Sequence, residues 1–404
     1  MTSRQSTPLG ASAIRQANLR EHNLGLVLRL IIDAPAPPSR ADIAVATGLT
    51  RATVSSLADR LIMGSLVTEL PPVMLQRAGR PAVPLIPAAG TLAAVGMEIN
   101  VDYLGVRVVD LAGAVLGQQV QSADFRGSDP VEVLRRLSEL YCEVTGTLSP
   151  DLRMAGSCLA VPGLVDSMVG PLRLAPNLGW RNIDVVREFH SHPATADVEI
   201  RLGNEATLAG RAEADALRPG GLLSFLYLSG EVGIGGALVV DGVVFGGRHG
   251  WSGEIGHTVV DPAGPLCRCG STGCLEQYAG KDALMRSAGL DLDLPVEDLL
   301  TAANAGDNAA LASLASGARA LGTALANAVN LIDVEHVVLG GIYAPLAEFL
   351  IPGIEDVLRA RVLFAPWSVL RVQPSAVRDY AALAGAASAV LADVIDDPSA
   401  WLEG

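Results

Sequence analysis

Three cysteines fall within eight residues of this chain, in Cys267-Arg268-Cys269-Gly270-Ser271-Thr272-Gly273-Cys274, and a histidine precedes them in Gly253-Glu254-Ile255-Gly256-His257. Three thiolates and one imidazole are the four-ligand complement that Zn²⁺ takes in structural sites. Every position is then filled by protein and none is left for a reactive water. The glycines let a short loop fold back so that the sulfurs converge. A structural Zn²⁺, one per chain, is therefore expected on His257, Cys267, Cys269 and Cys274. A disulfide or unliganded cysteines is the alternative, disfavoured in a cytosolic chain. Cys142 and Cys158, in apolar contexts, read as core cysteines.

Two carboxylates border the same loop. Glu254 lies just before His257, and Glu276 follows Cys274-Leu275. His257 can hold a metal through one ring nitrogen and offer the other to a ligand. Carboxylates and imidazole held by a rigid loop suit the hydroxyls of a sugar. On spacing alone a sugar is only one option, since solvated acidic residues are commonplace.

A second kind of chemistry is written near the start. Residues 1–90 hold nine arginines and no lysine against five acidic residues, a balance of +4, whereas the remainder carries −18. A basic head on an acidic body is attracted to phosphate backbones through the head alone. Within that head, Leu24, Val27, Leu28, Leu30 and Ile31 form one apolar helical stripe, ended by Ala34-Pro35-Ala36-Pro37-Pro38. Ser39 can cap a helix over Arg40–Thr47, Gly48 allows a sharp turn, and Thr50 can cap a second helix from Arg51 to about Met63. Helix, glycine turn and capped helix have helix-turn-helix spacing. Leu66–Leu70 and Val83–Ile86 then read as short strands around a loop with Arg77 and Arg80, a wing suited to a narrow minor groove. Arg51, Thr53 and Ser56 on the second helix, with Arg77 and Arg80, are the DNA-facing candidates. Few basic residues lie on the exposed face of that helix, so direct base reading is sparse. An ordinary helical hairpin is the alternative.

The elements that must carry the zinc loop lie beyond residue 87. Strand-like runs at Ala93–Ile99, Gly105–Asp110, Ala155–Val161, Leu222–Leu228 and Ala237–Val244 alternate with helical stretches at Val131–Thr145, Glu205–Ala216 and Asp307–Leu331. This mixture exceeds one ordinary core, so two α/β lobes with a cleft between them are expected. No internal repeat stands out. The 404 residues are 50% hydrophobic and 18% charged, with a net charge of −14 and mean hydropathy +0.37, which excludes a mainly disordered chain. No run of 18 apolar residues suggests a membrane span, and the polar, Arg-bearing start has no signal-peptide core. The expected location is cytoplasmic. The domains read as a flexible tail over 1–12, a winged helix-turn-helix over 13–87 and a two-lobed body over 88–400, with the zinc loop at about 253–276.

The body resembles the ROK family (repressor, open reading frame, kinase). The motifs that carry the resemblance are Gly253-Glu254-Ile255-Gly256-His257, the Cys-x-Cys-Gly-x-x-Gly-Cys-Leu-Glu stretch from Cys267, Val161-Pro162-Gly163-Leu164-Val165-Asp166, Pro176-Asn177-Leu178-Gly179-Trp180 and Val338-Leu339-Gly340-Gly341. The resemblance implies an α/β actin/hexokinase-like fold of two ribonuclease-H-like lobes that self-associates as a homodimer or homotetramer. It also implies a sugar site at the lobe interface, formed by Asn204, Glu205, Glu254, His257 and Glu276.

The family contains sugar kinases and transcription factors, and three departures separate this chain from the kinases. Where kinases carry Asp-Ile-Gly-Gly-Thr, this chain has Glu98-Ile99-Asn100-Val101-Asp102, without the glycines that let amides approach phosphate and with Asp102 to repel it. Glu205 stands where kinases place an Asp general base, and the extra methylene displaces the carboxylate. Glu231 puts a negative charge into the later turn Ser229-Gly230-Glu231-Val232-Gly233-Ile234-Gly235-Gly236. The expectation is a non-enzymatic, sugar-responsive repressor that binds operator DNA and a small sugar or sugar phosphate, with no membrane partner. An active ATP-dependent sugar kinase and a regulator answering to a partner protein are the alternatives.

Overall fold

The computed structural model describes residues 16–72, 82–166 and 170–402. The tail assigned to 1–12 and the wing arginines Arg77 and Arg80 lie outside them. The chain divides into two compact units, one taking residues up to Ala89 together with those from Ala392, the other Gly90–Leu391. The sequence reading carries the body to residue 400, whereas the residues from Ala392 group with the first unit. Gly25 explains why the C-terminal residues join the first unit: a Cβ there would stand 2.9 Å from the carbonyl oxygens of Ile395 and Asp396, so only glycine admits that backbone. Arg29 and Asp396 form an ion pair beside it.

The first unit is built from α1 (Gln16–Asp33), α2 (Arg40–Thr47), α3 (Arg51–Met63), β1 (Val67–Glu69) and β2 (Leu85–Pro87). Leu24, Val27, Leu28 and Ile31 bury one face of α1, at the i, i+3, i+4, i+7 spacing of an amphipathic helix, while Leu30 is only half-buried. Ser39 and Asp42 form a capping box on α2, and Gly48 ends it in the left-handed region at φ 71°. Thr50 caps α3 by accepting from the Thr53 N–H. Val54, Leu57, Ala58 and Leu61 point inward from α3. β1 and β2 pair antiparallel, Thr68 opposite Ile86.

The second unit contains two lobes. The first lobe comprises β3 (Leu92–Ile99), β4 (Tyr103–Asp110), β5 (Val115–Ser122), α4 (Pro130–Thr145), β6 (Arg153–Val161), a small sheet of β7 (Leu164–Val165), β8 (Leu172–Ala175) and β9 (Trp180–Ile183), then α5 (Val185–His190) and β10 (Ile200–Asn204). Next come α6 (Glu205–Leu217), β11 (Phe225–Gly230), β12 (Ile234–Val240), β13 (Val243–Val244), α7 (Glu276–Ala279), α8 (Lys281–Ser287), α9 (Val296–Asn304) and α10 (Asn308–Ile332). The chain continues through β14 (His336–Gly341), α11 (Ala347–Arg361), β15 (Arg371–Pro374) and α12 (Ala381–Asp396), the last turn of which, from Ala392, belongs to the first unit. The run Ala237–Val244, which reads as one strand, is a hairpin: Asp241 and Gly242, at φ 51° and 76°, make the tight turn between β12 and β13.

The two main sheets run β10-β6-β3-β4-β5 and β13-β12-β11-β14-β15. In each, three consecutive strands form an antiparallel meander, and two later strands add parallel on the far side of the first. The lobes therefore share one topology that no sequence repeat announces, because strand order depends on pairing rather than on which apolar residue fills each place. β3 is buried along its whole length, as a strand covered on both faces must be. Leu134, Leu137 and Leu140 of α4 meet Val95, Met97 and Leu159 in the first core; Leu314, Leu321 and Leu325 of α10 meet Val337, Leu339 and Ile354 in the second. α10 is long and apolar enough by composition to cross a membrane, and its apolar face is taken up by that core.

Candidate functional site

The ligand atoms of His257, Cys267, Cys269 and Cys274 all lie within 4.8 Å of one another. Cys267 Sγ is 3.8 Å from His257 Nδ1, and Cys269 Sγ is 3.7 Å from Cys274 Sγ. An ion about 2.3 Å from each sulfur at the centre of a tetrahedron sets its ligands about 3.8 Å apart, so these edges fit Zn²⁺. Burial pushes the Cys274 thiol up to about 12 and raises that of Cys267 as well. Without a cation these thiols keep their protons. Backbone bonds set the loop: Cys267 N–H donates to Ser271 O at 2.7 Å and Gly273 N–H to Pro265 O at 2.8 Å. Gly273 has φ 68°, and a Cβ on it would sit 1.6 Å from Asp261 O, so no other residue fits. Cys158 is buried as expected, whereas Cys142 is only half-buried.

His257 faces the thiols with Nδ1, and its Nε2 stands 4.0 Å from Glu254 Oε2. Asn204, Glu205, Glu254, His257 and Glu276 together line a cavity of about 230 Å³. At ~30 Å³ per water this is room for about eight waters, the scale of a monosaccharide rather than of a drug-sized ligand. Asn204 ends β10 and caps α6, its Oδ1 accepting from the N–H groups of Ala206 and Thr207 and its Nδ2 donating to Gly163 O at 2.9 Å. One amide hydrogen is left for a ligand. α6 packs against strands of both sheets, so its first turn holds Glu205 where the lobes meet.

The carboxylates here share one electrostatic character. Burial raises the Glu205 carboxyl well above its ordinary range, reinforced by Glu98, Glu231, Glu254 and Glu276. Glu254 and Glu276 are also raised by burial, against the pull of His257. A carboxyl pushed toward its protonated form can donate as well as accept, which suits neutral hydroxyls. Asn177 and Arg268 also belong here. Asn177 lines the cavity and bonds Glu276, and Arg268 Nη1 donates to Asn177 Oδ1 at 3.4 Å. The Pro176-Asn177-Leu178-Gly179-Trp180 motif pointed to this segment, but nothing local links Asn177 to Glu276, 99 positions away.

In the first unit, Arg51 and Ser56 lie exposed on α3, as does Ala52 between them. Thr53 is half-buried, and its hydroxyl is 2.9 Å from that of Thr50, so it serves the helix cap. Arg40 pairs with both Asp59 and Glu69, joining α2 to α3 and β1.

A sequence model of the ROK family matches residues 95–393. The chain belongs to the ROK family. It is 28% identical over 400 residues to a xylose repressor of Caldicellulosiruptor bescii, covering 94% of this chain and 98% of that one. Among solved structures, a ROK-family transcriptional regulator described as a homologue of the E. coli MLC protein superposes with a TM-score of 0.76 at 28% identity, over 96% of this chain and 100% of that one. A ROK hexokinase from Thermus thermophilus matches at TM-score 0.57 and 28% identity, over 73% of this chain and 96% of that one.

The other half of the ROK cleft differs from a phosphate cradle in detail. The turn after β3 closes on itself: Asn100 N–H donates to Tyr103 O at 2.9 Å, and Asp102 N–H to Asn100 Oδ1 at 3.1 Å. Two amides that could face an anion are thus committed. Asp102, read from the sequence as the repelling charge, is instead neutralised by Lys281 at 3.5 Å and Arg126 at 3.4 Å. Glu98, Glu205 and Glu231 line the cavity beyond that turn, where a cradle would need donors to phosphate.

Proposed function

We propose that this ROK protein is a sugar-responsive transcriptional repressor of the cytoplasm, not an enzyme. The observation that carries the proposal is the contrast inside one cleft. Asn204, Glu205, Glu254, His257 and Glu276 surround a sugar-sized cavity, while the amides of the opposing turn are used internally and buried carboxylates line the space beyond it. Full-length likeness to a xylose repressor and to a ROK transcriptional regulator, against partial likeness to a hexokinase, points the same way. The capped pair α2 and α3 with the β1–β2 ribbon is the element that would enter operator DNA, through Arg51, Thr53 and Ser56 and the wing arginines Arg77 and Arg80. One Zn²⁺ held by His257, Cys267, Cys269 and Cys274 would brace the sugar-facing loop, and two-fold operators call for a dimer or tetramer.

The test is a thermal-shift screen of the full chain against sugars and sugar phosphates, with and without Mg-ATP, paired with duplex selection from a random pool. A sugar that stabilises the protein and alters its affinity for the selected duplex is expected. Sugar-dependent ADP formation would instead establish the kinase reading. A protein that selects no duplex would remove the regulator.

A further inference from the structure

A second cavity, of about 670 Å³, is lined by Glu98, Glu205, Glu231, Glu297 and Asp379 against a single guanidinium, Arg378. Glu98 is 2% exposed, and its Oε2 has no hydrogen-bond partner. A buried carboxylate oxygen without a partner is a standing destabilisation unless something supplied from outside meets it. Tyr103 and Tyr380 lie in the same wall, their rings 5.2 Å apart edge to face, beside apolar surface from Val296 and Ile342. Among the described residues the only group of three or more ligands that converges for a shared metal ion is the one at His257, so no three of these carboxylates converge on one inorganic cation.

We propose that this cavity binds an organic polycation, an aliphatic amine with two or more protonated nitrogens, as a ligand distinct from the sugar. Ammonium groups supply donors to carboxyl oxygens several ångströms apart and favour their ionised forms, and methylenes between them pack on the tyrosine faces and the apolar wall. The place that would hold nucleotide phosphates in a kinase has thereby reversed the charge of what it accepts. This inference needs no sugar in the neighbouring cavity, so the two can fail separately.

Isothermal titration of the full chain with spermidine in 0.15 M NaCl tests it, with putrescine, hexylamine and Mg²⁺ as comparators. One saturable equivalent is expected, at least tenfold tighter for spermidine than for hexylamine and not displaced by millimolar Mg²⁺. Glu98→Gln or Glu231→Gln should weaken it at least tenfold with the circular dichroism unchanged. Should both variants misfold, Ile342→Trp, which fills the apolar end, should abolish binding. Absence of saturation, several equivalents that vanish with salt, displacement by Mg²⁺, or undiminished affinity in the folded variants would each overturn the proposal.

Discussion

Glu254 is the residue at which metal loop and ligand cavity meet, since its Oε2 lies 4.0 Å from the His257 nitrogen that faces away from the thiols. Glu254→Gln keeps the shape and removes the carboxyl. It should weaken sugar binding about tenfold or more while bound zinc, measured by metal analysis after dialysis, stays at one equivalent; loss of the metal would mean that Glu254 serves the loop alone. Glu98 and Glu231 make a different prediction. Burial raises Glu98 to about 7, against Tyr103, Asn100 and Arg107, and Glu231 to about 8, where Glu98, Asp102 and Glu297 add to burial and Lys281 opposes it. Both carboxyls keep protons in the folded protein at pH values where an unfolded chain, near 4.5, has lost them. Stability is therefore free of this penalty at low pH and falls as pH rises from about 4.5 to 8, with the full loss above that. Glu231→Gln should flatten that decline and raise stability at pH 9 by on the order of 1–2 kcal/mol, discounted because the side chain is only partly enclosed. Urea titrations at pH 5 and 9 check it, and equal pH dependence in both proteins would show Glu231 to be ionised throughout.

At the scale of elements, the segment from Gly253 to Glu276 works as one bracket. Gly253 has φ 95° and sits with its Cα hydrogens against Gly236 O, while Gly236 N–H donates to Gly253 O at 2.8 Å, fastening the loop to β12. At its other end the loop passes into α7, whose first residue is Glu276. The candidate ligands for metal and for sugar thus share one braced segment. Gly273→Ala drives a methyl into Asp261 O and should distort the bracket, lowering zinc affinity by about tenfold or more and sugar affinity with it. Competition with a chromogenic chelator reads the first effect and calorimetry the second. Intact sugar binding alongside lost zinc would separate the two roles.

For the whole molecule, regulation requires that sugar and operator each change the affinity of the other by the same factor. A factor of 5–150, about 1–3 kcal/mol, is the ordinary range for such coupling. Operator titrations at rising sugar, and sugar titrations at rising operator, should therefore yield one number. Two different numbers would place a second effector site on the chain. Mg-ATP should leave both titrations unchanged, given the committed amides of Asn100 and Asp102 and the carboxylates around them.

Much of this protein is local, and what is local could be read directly. The Ser39 and Thr50 caps, the Gly48 turn and the ends of α2 and α3 depend on bonds spanning three or four residues, so the sequence alone determined them. The Cys₃His set was legible for the same reason: His257 and Cys274 lie 17 positions apart on one loop. So was the loss of the phosphate glycines at Asn100 and Val101. Tertiary structure decided the rest. It joined Asn177 to Glu276, gave Asp102 its cations from Arg126 and Lys281, and attached the last residues of the chain to the first unit. It also laid the two sheets out in one strand order and gathered Glu98, Glu205 and Glu231 around one cavity. Long-range pairing sets these features, and a carboxylate's surroundings, which decide whether it repels an anion or receives a cation, exist only once the strands that carry it have found their neighbours.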